Sequence, residues 1–235
     1  MAQSSVLKFA AGEFDVSRTA VVAVDLQKEC VAKNGAWPIH NAQQVLTNAQ
    51  KVIAASRDAG LPIIYTKQWL DPHGADAQRY EKLGVDNRPF RSVAGSPMAE
   101  ICDEVAPRES DPIVHKQRWS AFFNSNLELI LNKRDIRHLI MFGVWTEACF
   151  ETTVWDAIWR DYRISIVKDA CGTASPLMHM TAILDLANWL YGGMVFSSDE
   201  LVKAIRKEPF HAWKFEEACS FVYTLDNVEQ LYRSL

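Results

Sequence analysis

The chain has 235 residues, 49% of them apolar and 23% charged, with a formal net charge of −4, which is the balance of a soluble α/β domain with a sizeable core. It offers no basic field for nucleic acid or an anionic membrane, and no apolar run approaches the roughly 18 residues that span a bilayer. Five scattered cysteines (Cys30, Cys102, Cys149, Cys171, Cys219) without a C-x-x-C argue against a disulfide framework or zinc ribbon. The first residues do not read as a signal peptide, so a reducing, cytoplasmic setting is expected.

In chain order, the run Ala20-Val21-Val22-Ala23-Val24, broken by Asp25, suits a strand buried on both faces of a parallel sheet. Val45, Ala49, Val52 and Ile53 recur at helical spacing from Asn41 to a stop at Gly60, and Pro62 to Thr66 reads as a second strand. This is a βαβ unit with an expected right-handed crossover. The rhythm resumes with a strand at Pro112 to Val114, a helix at Asn124 to Lys133 and a strand at Leu139 to Phe142 ending in Gly143. A helix at Glu147 to Asp161, a strand at Ile164 to Val167, a helix at Pro176 to Tyr191 and a strand at Met194 to Phe196 follow. Ser197 and Glu200 form a capping-box signature for a last helix through Ile205.

Six strands alternating with helices predict an α/β fold: a doubly wound, six-stranded parallel sheet flanked by helices, a Rossmann-like three-layer sandwich. It is read as one domain, 1–235, with a core of about 18–206 and a C-terminal extension 207–235. Leu70 to Asp111 lies outside the rhythm, and a loop of that length is usually functional. The extension carries Trp213, Phe215, Phe221 and Tyr223, which either pack on their own domain or form an oligomer contact.

Ligands of open α/β sheets bind beyond the carboxyl ends of the strands. Asp25 follows the first strand directly, Lys116 comes two residues after Val114, and Cys149 lies six residues past Gly143. A carboxylate, an ammonium and a thiol therefore converge on one rim. Thr146 is a candidate N-cap, which puts Cys149 near the third helical position, where free N–H groups favour a thiolate and can hold an oxyanion. Taken alone, Cys149 reads more readily as a small buried hydrophobe. The two partners at matching strand ends decide for chemistry.

Gly143-Val144-Trp145-Thr146-Glu147-Ala148-Cys149 with Glu151-Thr152-Thr153 resembles the G-V-x-T-[DN]-x-C-V-x-[ST]-T signature of the isochorismatase-like cysteine hydrolases. Asp25-Leu26-Gln27 is similar to that family's D-x-Q, Lys116 to Phe122 to its K-x-R-[YF]-S-A-F, and Asp169-Ala170 fits after the fifth strand. The resemblance covers Arg18 to Ile205. It implies the amidohydrolase branch, with relatives such as N-carbamoylsarcosine amidohydrolase, ureidoacrylate amidohydrolase, biuret hydrolase and nicotinamidase. It also implies hydrolysis of a small amide, ureide or carbamoyl C–N bond through a Cys149 thioester, releasing ammonia or an amine. Asp25 would be the proton carrier and Lys116 its partner, with an oxyanion hole at the Trp145 and Cys149 N–H groups and a cis Val144–Trp145 peptide. A dimer or tetramer is expected by the same resemblance.

The chain departs from the nicotinamidases in two places. Gln68-Trp69-Leu70 stands where they carry D-x-H metal ligands, and Cys30 where they place a phenylalanine. Asp71 and His73 form an isolated pair, so no metal and no cofactor are expected. Gln27, Trp69, Arg118, Trp119 and Trp145, all near strand ends, are the candidate substrate contacts, with indole walls and a guanidinium for a carboxylate or carbonyl. The rival readings are an ester or hydrazide hydrolase using the same three residues and a catalytically silent binding protein on this fold. A dinucleotide binder lacks its glycine-rich turn after the first strand. No nucleic-acid or membrane partner is expected.

Overall fold

The computed structural model describes residues 6–32 and 34–235. After a short β1 (Leu7–Phe9), the valine run forms β2 (Thr19–Val24), buried along its whole length. Gln27 opens a single helical turn, α1 (Lys28–Val31), and α2 (Ala42–Asp58) buries Val45, Ala49, Val52 and Ile53 as their spacing predicts. Then follow β3 (Ile63–Gln68), β4 (Ile113–Lys116), α3 (Leu127–Lys133), β5 (His138–Val144) and α4 (Glu151–Ile158). The chain closes with β6 (Arg163–Gly172), α5 (Pro176–Ala187), β7 (Met194–Phe196), α6 (Ser198–Ile205), β8 (Phe210–Lys214) and α7 (Val228–Arg233).

The six strands read from the sequence form the parallel body of the sheet, in the order β7-β6-β5-β2-β3-β4. The chain winds outward from β2 to β4, then returns to the other side of β2 to place β5. The switch point therefore falls between β2 and β5, where the carboxyl ends of two strands leave a crevice. Helices form the outer layers, with α2 packed beside α6 and α4 beside α5.

The sheet has eight strands rather than six. β8 pairs antiparallel with β7, and β1 pairs antiparallel with β8. Three-residue β7 would otherwise be an open edge of unpaired backbone groups, and β8 covers it. Phe210, Ala212 and Trp213 are buried in the process, and Phe221 packs at a tilt near Trp213. The aromatic extension thus packs on its own domain. Its strand escaped sequence reading because Phe210–Lys214 is short and lacks clean alternation, its buried residues falling at Phe210, Ala212 and Trp213.

The long connection from β3 to β4 is pinned to the sheet rim. Leu70 bridges Val93, Gln27 bridges Ile101, and Lys28 N–H donates to the Glu100 carbonyl at 2.8 Å. Asp169 lies within β6 rather than after it. Its carboxylate accepts from Ser198 N–H (2.7 Å) and Ser198 Oγ (2.9 Å), holding the start of α6. Ser197 Oγ caps the same helix through Glu200 N–H at 3.3 Å, while the Glu200 side chain takes Lys203 instead of closing the box.

Candidate active site

The rim is assembled from strand ends. Asp25 has a left-handed backbone, φ 49°, a conformation that Asp tolerates better than most residues, and it turns the chain sharply out of β2. Neighbouring β3 receives that turn: Thr66 Oγ1 donates to Asp25 Oδ1 at 2.6 Å and accepts from Asp25 N–H at 3.2 Å. The second carboxylate oxygen lies 2.7 Å from Nζ of Lys116, the last residue of β4. Lys116 also donates to the Arg118 carbonyl at 3.0 Å. Both side chains of this ion pair are buried, Lys116 completely.

The thiol arrives from the other side of the switch point. Gly143 sits beside Val24 with φ 133°, and a Cβ there would stand 2.0 Å from the Val24 carbonyl oxygen. Only glycine fits, and the β5–β6 register shifts between Met141 and Gly143. The Val144–Trp145 peptide is cis. Thr146–Phe150 is not the start of an α-helix but a single π-turn, with α4 beginning after it. Thr146 is accordingly no cap: it is buried, and its hydroxyl pairs with His179 Nδ1 at 3.0 Å. The Trp145 carbonyl accepts from the N–H groups of Ala148 (3.0 Å) and Phe150 (3.1 Å), the two residues flanking Cys149. Such one-turn π-bulges in helices frequently mark functional sites.

Cys149 Sγ lies 3.7 Å from Gln68 Oε1, and the thiol interacts with both Asp25 and Lys116. Burial pushes its pKa up to about 12, Lys116 pulls it down, and the Asp25 carboxylate pushes it further up. The resting thiol is therefore protonated, against the lowered value expected from a helix N-terminus, because desolvation of the thiolate outweighs the neighbouring cation. Burial also pulls Lys116 downward, but Asp25 and Cys149 outweigh it and the ammonium is held above its ordinary value. Carboxylate, ammonium and thiol thus form one buried, coupled unit.

Beside this unit is a cavity of about 230 Å³, lined by Asp25 and Cys149 together with Glu29, Trp37, Trp119 and Trp145 among others. Of the candidate substrate contacts, Trp119 and Trp145 line it, Trp119 half exposed at its mouth and Trp145 edge-on to Trp37 with centroids 5.9 Å apart. Gln27 also borders it, but its amide is spent on the Gln68 and Ala99 backbone (3.1, 2.9 and 2.8 Å), so it positions Gln68. Trp69 does not line the cavity: it stacks on His115 at 5.1 Å, with Lys67 Nζ 3.8 Å over its ring. Alternation along β3 sends Gln68 to the site and its neighbour away. Arg118 does not line it either, because its guanidinium donates to the Asp76 and Gln117 carbonyls, both at 2.9 Å.

Sequence reading missed Thr66, Gln68, Glu29, Trp37 and Ser92. The first two sit at the end of β3, a strand read as stopping at Thr66 and as supplying only missing metal ligands. Trp37 and Ser92 come from loops whose course no local pattern specifies. Asp71 is used within its own turn, Oδ1 accepting from His73 N–H at 2.8 Å. Among the described residues no three His, Cys, Asp or Glu side chains gather in a group that could hold a metal ion.

A family model described as an isochorismatase domain matches residues 19–200. Ureidoacrylate amidohydrolase RutB of Acinetobacter baylyi is 29% identical over 188 residues, 72% of this chain and 77% of that protein. A probable inactive nicotinamidase of Arabidopsis thaliana is 28% identical over 173 residues, 72% of this chain and 88% of its own. The crystal structure of a cysteine hydrolase from Pseudomonas syringae pv. phaseolicola superimposes with a TM-score of 0.76 at 27% identity, covering 88% of this chain and 99% of that one. That of N-carbamoylsarcosine amidase from Thermoplasma acidophilum gives 0.64 at 28% identity, covering 77% and 97%.

Proposed function

Starting from the chain's membership of the isochorismatase domain family, we propose that it is a hydrolase that cleaves the C–N bond of a small amide, ureide or carbamoyl compound through a Cys149 thioester. The single observation that carries this reading is the buried Asp25–Lys116 pair, at 2.7 Å, in interaction with the Cys149 thiol beside the cavity. A buried ion pair is a poor source of stability. Next to a thiol and a cavity it is a proton-transfer device. The names of the relatives, amidohydrolase and amidase, supply the bond class.

In this mechanism substrate entry displaces water, and the Asp25 carboxylate accepts the Cys149 proton as the sulfur attacks the carbonyl carbon. Lys116 holds the carboxylate in place by its ion pair and stabilises the thiolate, offsetting the burial that keeps the resting thiol protonated. The carbonyl oxygen becomes an oxyanion, received in this reading by the N–H groups of Trp145, in the cis peptide, and of Cys149, in the π-turn. Collapse of the tetrahedral intermediate breaks the C–N bond, and protonated Asp25 gives its proton to the departing nitrogen as ammonia or an amine. The carboxylate next takes a proton from water. The hydroxide formed attacks the thioester carbon, the C–S bond breaks, and the thiolate recovers the proton from Asp25. Atoms balance as one amide plus one water giving an acid and an amine.

Gln68, 3.7 Å from the sulfur and clamped by Gln27, keeps the thiol aimed into the cavity. The test is ammonia release from a panel of small amides and ureides by the wild type, Cys149→Ser and Cys149→Ala. Turnover that survives in either variant overturns the thioester route, and turnover of esters without ammonia from any panel member overturns the bond class.

A further inference from the structure

Proton transfer and thioester chemistry leave Glu29 without a task, yet its carboxylate lines the cavity alongside Asp25 and Cys149. It is buried, 4% exposed, and its two oxygens accept from Ser92 N–H at 3.1 and 2.8 Å and from Ser92 Oγ at 2.7 Å. Burial, with the Asp25 carboxylate nearby, raises its pKa above the ordinary glutamate value, and the Ser92 donors on both oxygens hold that rise back. The cation that acts on it, Arg91, is itself ion-paired with Glu81 and lies 3.9 Å over the Trp37 ring. The other positive groups near the cavity are spent as well, Lys116 on Asp25 and Arg118 on backbone carbonyls. What a ligand meets is therefore the Glu29 carboxylate, an Asp25 carboxylate that Lys116 neutralises, and the indoles of Trp37, Trp119 and Trp145, whose π-faces attract cations and N–H edges.

Resting on the hydrolytic reading above, we infer that Glu29 is a specificity-determining residue: the cavity takes amides or ureides whose far end is uncharged or positive and carries N–H donors, and it turns away those bearing a carboxylate. The physical basis is asymmetric. An N–H donor or ammonium gains a charge-assisted hydrogen bond from Glu29, whereas an anion faces like charge in a desolvated space that solvent cannot screen. A merely structural Glu29, bolting the loop through Ser92, produces no such discrimination.

The cavity's charge preference can be read on its own sulfur. Iodoacetamide and iodoacetate alkylate a thiolate by the same displacement of iodide, the first neutral and the second an anion. Full-length protein is treated with each at moderate salt, and peptide mass spectrometry follows labelling at Cys149 and at exposed Cys219, the internal reference. Salt screens the exposed reference far more than the buried cavity. Relative to Cys219, Cys149 is expected to prefer iodoacetamide by about tenfold or more. Glu29→Gln should reduce that preference at least about threefold, and Glu29→Asp, which restores the charge, should return most of it. A wild-type preference close to one, read without any variant, overturns the inference, as does a preference that Glu29→Gln leaves intact. Charge-blind labelling, or a Cys149 that neither reagent modifies, overturns this inference alone, because ammonia release by the wild type tests the hydrolytic reading separately.

Discussion

The two ends of the central strands β2 and β5 are built from opposite materials. At their carboxyl ends lie Asp25, Lys116 and Cys149, a charged pair and a thiol taken out of water together. At their amino ends Thr19 Oγ1 meets His138 Nδ1 at 3.4 Å, and His138 Nε2 meets Ser165 Oγ at 2.9 Å, with Phe14 edge-on to the imidazole. Burial, helped by Arg163, lowers the His138 pKa to about 4, so this network is uncharged near neutrality. Both ends are buried and polar, but only one keeps a formal charge that fold stability does not require. Satisfied neutral polarity is what a fold uses to specify a core, and buried charge beside a cavity is what chemistry uses.

That contrast can be broken most sharply at Cys149, the nucleophile of the proposed mechanism. Cys149→Ser should lower kcat/KM for any amide substrate by about ten-thousand-fold or more, with a melting curve close to wild type. His138→Gln at the opposite end should leave kcat/KM within about threefold. Equal losses at the two ends, measured by ammonia release, would erase the distinction. The ion pair sharpens it next. Lys116→Met should cost about 3–5 kcal/mol in a denaturant titration, because Asp25 is left buried and unpaired, and should remove activity as well. Adding Asp25→Asn to Lys116→Met should recover most of the stability and none of the turnover.

The neutral end should report itself through pH. A histidine whose folded pKa is depressed contributes stability that is present above its unfolded value of 6.5 and is lost as pH falls through about 4, because the unfolded chain binds the proton first. His138 should account for about 3 kcal/mol over that window. His179, also lowered to about 4 by burial and bonded to Thr146 and Tyr232 Oη, should add a similar amount. His138→Phe should therefore lose less stability than wild type between pH 7 and pH 4, with Glu151, raised to about 7 by burial, working in the opposite direction in both. The smallest effect belongs to Thr66, which orients the Asp25 carboxylate through one hydrogen bond of 2.6 Å. Thr66→Val should lower kcat by about tenfold, the worth of one hydrogen bond to a charged group, while KM changes little. A larger change in KM than in kcat would move Thr66 from orienting the base to contacting substrate.

The same division governs how much could be read from the chain before folding. The central strands stand out because β2 and β5 are buried on both faces and carry long apolar runs, and β3 opens on a shorter one, Ile63-Ile64-Tyr65. Their ends are equally plain, since a polar residue closing such a run has nowhere to sit but the rim, and this located Asp25, Lys116 and the segment bearing Cys149. The cis Val144–Trp145 bond, implied by resemblance, is present. The cavity wall was much less legible. Trp69 and Arg118 flank true rim residues yet point elsewhere, one onto His115 and the other onto the Asp76 carbonyl. Proximity in sequence to a strand end sets the neighbourhood of a side chain but not its direction.

What the sequence determined by itself is therefore the sheet's parallel body and the three rim groups, because burial on both faces and the alternation of strand with helix are local patterns that survive in one dimension. What only the tertiary structure decided is the company those groups keep: Glu29 brought against Ser92 across the loop, Trp37 beside Trp145, and the thiol's pKa driven upward instead of down. Desolvation is the reason. Its cost depends on everything that surrounds a group in space, and none of that is written next to the group along the chain.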